Sequence, residues 1–159
     1  MAECLLDALG GGRFKGHSAG SHPAGRVNPT NLALLEEKGH PTGRLRSKSW
    51  DEFGGPEPSV MPDASEMDGA PVMEIVITVC DNAAGEVCPV WPGHPVTAHW
   101  PFRDPDAFTG PDDERPGEYA AVYGHIEAGV RALVALPVED MDAEALKRKL
   151  AAIGKRGRE

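Results

Sequence analysis

One apolar, β-branched stretch constrains this chain more than any other part of it. Residues Val72 to Val79 form a strongly apolar run, bounded by Pro71 and by the polar pair Asp81-Asn82. Such a run predicts a buried β-strand, because β-branched side chains pack well on a pleated surface. Helical patterns occur before and after it, and this alternation of helix and strand predicts an α/β fold with a parallel sheet.

Two cysteines follow this strand. Cys80 lies where the strand ends, and Cys88 follows eight positions later, across small and polar residues that include Gly85. Open α/β sheets place their ligands at the carboxyl ends of the strands. A second thiol on a pliable loop suits reversible disulfide chemistry, which needs the two α-carbons within about 7 Å. The spacing fits equally well two ordinary cysteines, one buried and one in a loop.

Two helices are predicted in the first quarter of the chain. Met1 to Leu9 carries its leucines on one face and runs into three glycines, which predicts a helix that ends there. Pro29 begins the second helix, with Asn28 as its N-cap and Gly39 as its stop.

The other segments are assigned by composition and spacing. Apolar residues three or four apart predict a helix over Tyr119 to Leu136, and a C-terminal helix follows over Asp142 to Ile153. Phe14 to Ala19 is predicted as a short strand, and the Pro-rich chain from Cys88 to Pro101 as an extended, rigid loop. Residues 54–71 are poor in apolar side chains and predict a flexible surface insertion.

Composition narrows the class of protein. The 159 residues suffice for a single domain, which we assign to 1–159. A net charge of −9 argues against binding to nucleic acid or to an anionic membrane. Three cysteines without zinc-type spacing, together with a start that lacks a signal peptide, predict a cytoplasmic protein without a bound metal or cofactor.

Several separated motifs agree with one known family. Over roughly its first 136 residues, the chain resembles the arsenate reductases built on the low-molecular-weight tyrosine phosphatase fold, because it contains six short motifs in the order in which they occur in that family. The resemblance implies a flavodoxin-like, three-layer α/β sandwich with four parallel strands, to which a helix at 140–153 is added. The motifs are Ser18-Ala19-Gly20, Val27-Asn28-Pro29, Thr78-Val79-Cys80, Cys88-Pro89, His99-Trp100 and Asp104-Pro105.

The resemblance also implies a function and the residues that perform it. The family reduces arsenate to arsenite for arsenic detoxification, through a cascade of cysteine thiols. Asp104 matches the general acid that protonates the departing oxygen, although Asp before Pro is also common in ordinary turns. Cys80 matches the resolving thiol, and Cys88 the thiol that closes a disulfide with it. The partners implied are the arsenate oxyanion and an external reductant: thioredoxin, glutaredoxin with glutathione, or mycothiol. His99 and Trp100 are expected to form a packing wall.

Two features depart from the family pattern. The family's nucleophile lies in a loop of a Cys, five residues and an Arg, a pattern that this sequence does not contain. We therefore expect that the first strand and this loop lie upstream of Met1, and that Cys4 is a small buried residue. Lys48 falls near an Asp that binds potassium in some members, so its ammonium is expected to replace the bound cation.

Two other functions fit the same residues. One is a tyrosine phosphatase of the same fold, although phosphatases do not need a resolving pair of cysteines. The other is a catalytically inactive remnant that folds poorly or pairs with another chain through an open sheet edge.

Overall fold

The fold is given by a computed structural model that describes residues 1–53, 71–79, 91 and 93–156. Cys80, Cys88 and nearly all of the predicted insertion at 54–71 therefore lie outside the described residues. The described elements are α1 (Ala2–Leu9), α2 (Pro29–Glu37), β1 (Ile75–Thr78), β2 (Val96–His99), α3 (Arg115–Val134) and α4 (Ala143–Arg156), with short 3-10 turns at Trp50–Glu52, Pro105–Ala107 and Val138–Asp140.

The described strands β1 and β2 pair in parallel, with Ile75 opposite Val96 and Thr78 opposite His99. This confirms an α/β protein with a parallel sheet, which is compatible with a flavodoxin-like arrangement. The extended loop predicted up to Pro101 is wrong in part, because it contains β2. The β-branched pair Val96-Thr97 was the signal for this strand, but the prolines on both sides of it obscured that signal.

Strand β1 is shorter and less buried than the sequence predicts. Its four residues are half-buried, and Val72 and Val79 at the ends of the apolar run are 54% and 42% exposed. A fully buried strand needs neighbours on both edges and cover on both faces. Among the described residues, β1 pairs only with β2, so this prediction of burial is corrected.

The predicted strand over Phe14 to Ala19 is also wrong, because side chains of α1 engage this segment. The amide of Gly16 donates to Asp7 Oδ1 at 2.7 Å, and the Ser18 hydroxyl donates to Glu3 Oε2 at 2.5 Å. Only the next residue, Gly20, enters a ladder, as a single parallel bridge with Ser49.

Helices α1 and α2 follow their sequence signals closely. Asn28 Oδ1 accepts from the Thr30 amide at 2.8 Å as the N-cap of α2. Gly39 follows this helix with φ +79°, a backbone angle that favours glycine. Helix α3 begins at Arg115, four residues before the predicted start, because Pro116 in the first turn is compatible with a helix.

Helix α3 contributes to two hydrophobic clusters. On one side, its buried side chains pack with those of α1 and α2. On the other side, Leu133 packs with the strands and with Leu146 and Leu150 of α4. The predicted C-terminal helix is thus confirmed as part of the core, since Leu150 is fully buried.

Candidate functional site

The carboxyl ends of the two strands meet at one edge of the sheet. Thr78 and His99 are the last residues of β1 and β2 and lie opposite each other, with Thr78 Oγ1 and His99 Nδ1 2.9 Å apart. Parallel strands send their following residues out at the same edge. Cys80 comes two positions after Thr78 and Asp104 five positions after His99. The roles predicted for Cys80 and Cys88 stay predictions, since both residues lie outside the described part.

Asp104 occupies a tight, exposed turn. Its Oδ1 accepts from the Asp106 amide at 2.9 Å, which caps the 3-10 turn Pro105–Ala107. Asp104 is exposed, so a solute can reach its carboxyl group. This geometry suits a general acid, and it equally suits the local turn role that Asp-Pro pairs often have.

Asp106 joins this turn to two helices, and the sequence did not indicate it. Asn28 Nδ2, at the start of α2, donates to Asp106 Oδ1 at 2.8 Å. The hydroxyl of Tyr119, on α3, donates to the same oxygen. Tyr119 is 1% exposed; its burial, followed by its hydrogen bond to the Asp106 carboxylate, raises the pKa of the phenol above its usual value.

A buried ion pair links α1 to the segment before the first 3-10 turn. Lys48 Nζ lies 3.2 Å from Glu3 Oε2, and the two residues are 8% and 5% exposed. Burial works to raise the pKa of Glu3, but the hydrogen bonds from Ser18 and Lys48 and the lysine charge hold this pKa below its ordinary value. The Lys48 ammonium thus faces a buried carboxylate. The sequence indicated Lys48 but missed Glu3.

Cys4 is buried, as predicted. It is 4% exposed, and burial raises the pKa of its thiol. A thiol with a raised pKa holds little of the nucleophilic thiolate at neutral pH. Cys4 therefore behaves as a core residue.

Trp100 is a packing residue, as predicted. It is 3% exposed, and its Nε1 donates to the Leu150 carbonyl of α4 at 2.9 Å. Its ring meets that of Phe102 edge-on, with centroids 6.2 Å apart. These contacts seat α4 against the end of β2.

An apolar groove of about 540 Å³ lies between residues 12–17 and residues 71–79. Its lining comes from α1 and the segment after it, from β1 and the residues before it, from the residues after β2, from α3, and from the start of the C-terminal region up to Leu146 of α4. The apolar residues among them include Phe14, Val72, Ile75, Ile77, Val130 and Leu133.

In the described ranges, no group of three or more His, Cys, Asp or Glu side chains could hold a metal ion. Within the same ranges, no helix is long and apolar enough to cross a membrane. No protein-family model matches the chain, and no curated protein sequence matches it.

Proposed function

We propose that this protein is a thiol-dependent arsenate reductase with the flavodoxin-like fold of the low-molecular-weight phosphatases. One observation carries the proposal: the in-register ends of β1 and β2. In the sequence, Cys80 follows the end of β1 by two positions and Asp104 follows the end of β2 by five; Asp104 is exposed. Ligands of open α/β sheets bind at the edge where the strands end.

The chemistry consumes one arsenate and two thiols and yields arsenite, one disulfide and one water. A first thiolate forms a bond to arsenic, and Asp104 gives its proton to the oxygen that leaves as water. The Cys80 thiolate then attacks the first sulfur, and the electron pair of the sulfur–arsenic bond passes to arsenic, which leaves as arsenite. This step leaves a disulfide between the first thiol and Cys80. Cys88 finally attacks the Cys80 sulfur, the first thiolate leaves, and the Cys80–Cys88 disulfide that forms is reopened by an external thiol reductant.

The proposal assigns to this chain the acid and the second and third thiols. In the family that it resembles, the first thiol belongs to a loop pattern that the sequence does not contain. The test therefore uses the native protein isolated from its own cells. The intact mass of this protein is measured first.

The decisive assay measures arsenite released per protein molecule, with arsenate and a thioredoxin-type or small dithiol reductant. We expect multiple turnover in the native protein and its loss in Cys80→Ser and Cys88→Ser. Cys4→Ala is the matched control, because Cys4 is buried and should leave turnover intact. Wild-type turnover by Cys88→Ser would exclude the disulfide cascade.

The acid role has its own variant. Replacing a general acid costs about 10²–10⁴-fold in rate, so we expect a loss of that size in Asp104→Asn. The exposed Asp113 offers the control Asp113→Asn, which should retain the full rate. A native protein without any arsenate turnover would instead favour the inactive, strand-pairing alternative.

A further inference from the structure

The carboxylate of Asp106, next to the Asp104-Pro105 turn, connects this turn to two helices. We propose that Asp106 is a positioning residue for Asp104, anchored by Asn28 on one side and by Tyr119 on the other. The inference rests on the proposed function in one respect, the role of Asp104 as the acid.

The side-chain hydrogen bond of Asp104 is local and does not connect the turn to another element. Its carboxylate accepts from the Asp106 amide, two positions away in the same turn. This bond fixes the shape of the turn but not its location. The location needs a contact to another element, and Asp106 makes two.

Both anchors of Asp106 come from distant parts of the sequence. Asn28 lies 78 positions before Asp106 and donates to it at 2.8 Å in an exposed contact. Tyr119 lies 13 positions after it and donates to the same oxygen. Hydrogen bonds to an ionised carboxylate are stronger and shorter than those between neutral groups. The turn is therefore held between the start of α2 and the first turns of α3.

Two further contacts link this part of the chain to α3, and both are weaker. The guanidinium carbon of Arg115 lies 5.9 Å from the centroid of the Phe108 ring, at the outer limit of a cation–π contact. Arg103 Nη2 lies 3.0 Å from Glu118 Oε1, but the arginine side chain is 67% exposed. Exposed ion pairs are screened by water and salt and contribute little. Tyr119, by contrast, is 1% exposed, so its hydroxyl depends on Asp106 for its partner.

Asn28 makes two side-chain hydrogen bonds, and one substitution can remove the bond to Asp106 while it keeps the helix cap. Its Oδ1 caps α2 by accepting from Thr30, while its Nδ2 holds Asp106. Aspartate caps helices about as well as asparagine. Asn28→Asp therefore keeps the cap but removes the donor and sets a second carboxylate against Asp106.

The first experiment needs no enzymatic activity. Amide hydrogen exchange is measured at position 106 by NMR in the wild type, Asn28→Asp, Tyr119→Phe and Asp106→Ala, with Asp113→Ala as the control. We expect exchange at this amide to accelerate about tenfold or more in the three variants and to stay unchanged in the control. Unchanged protection in all three variants would overturn the anchoring.

The second experiment separates positioning from general stability. In the arsenate assay on the native protein, we expect Asp106→Ala to lower kcat about tenfold with KM unchanged. Asp106→Asn, which keeps an acceptor oxygen, should recover most of this loss. A higher KM with an unchanged kcat would contradict the positioning role.

The two possible failures are distinguishable. If Asp104→Asn retains the wild-type rate, the acid role itself is wrong and the proposed function loses its support. If Asp104→Asn is slow while Asp106→Ala is as fast as wild type, the proposed function stands and only the positioning role is overturned.

Discussion

Lys48 Nζ lies 3.2 Å from Glu3 Oε2, and both residues are buried, although 45 positions separate them in the chain. The Ser18 hydroxyl donates to the same carboxylate oxygen at 2.5 Å. Three segments therefore converge on one carboxylate: α1, the segment after it and the segment before the first 3-10 turn. A buried charge is tolerable only when it is paired and hydrogen-bonded, so this cluster sets how these segments meet.

Removing one member of the pair should destabilise the protein strongly. We expect Glu3→Gln or Lys48→Met to lower the free energy of unfolding by about 3–5 kcal/mol, because an uncompensated charge stays buried. The double variant Glu3→Met with Lys48→Met should cost less than the sum of the two single variants. Urea denaturation measures these values, and costs that simply add would show that the pair is not coupled.

The stability contributed by Glu3 should depend on pH. Its pKa in the folded protein is below the ordinary value of 4.5. A carboxyl with a lowered folded pKa stabilises the protein fully above the unfolded pKa, and this contribution disappears as pH falls through the folded pKa. The difference in free energy of unfolding between wild type and Glu3→Gln should therefore be constant above about pH 5 and shrink below about pH 4.5. A difference that stays the same down to about pH 3 would contradict this coupling.

Potassium should not matter to this protein. The Lys48 ammonium already compensates the Glu3 carboxylate, so a second cation there would meet repulsion. We expect equal melting temperatures and equal arsenate turnover in potassium and sodium buffers of the same ionic strength. Turnover that rises severalfold on replacing sodium by potassium would show that a cation site remains.

Two helical glycines should respond in opposite directions to alanine. A Cβ at Gly154 would lie 2.5 Å from the His99 carbonyl oxygen and 2.6 Å from Trp100 Cδ1. Gly154→Ala should therefore push α4 away from the end of β2 and cost about 1–3 kcal/mol. At Gly124 nothing lies within 4 Å of such a Cβ, so Gly124→Ala should stabilise by about 0.5–1 kcal/mol.

Gly124→Ala serves as the control for Gly154→Ala, since both substitutions add one methyl group to a helix. Thermal melting of the two variants measures the contrast. A Gly154→Ala variant that is as stable as Gly124→Ala would show that α4 does not pack closely against Trp100.

Local patterns were sufficient for the helices and for the position of β1. Asn28 and Pro29 mark the start of α2 because capping and proline geometry act over a few residues. The exposed Asp-Pro turn at Asp104 could also be predicted from the sequence, since its hydrogen bond spans only two positions. The strand predicted at Phe14 to Ala19 failed because Asp7 and Glu3 capture that segment, a competition that its own composition does not show.

The sequence by itself determined the helical segments, the first strand and the turn that carries Asp104, because each depends on interactions between near neighbours along the chain. Only the tertiary structure decided which side chains hold that turn and what compensates the buried Glu3. Asp106 meets Asn28 and Tyr119, and Lys48 meets Glu3, only after helices and strands have packed. No local pattern encodes such meetings, since they follow from the burial of apolar faces by the fold as a whole.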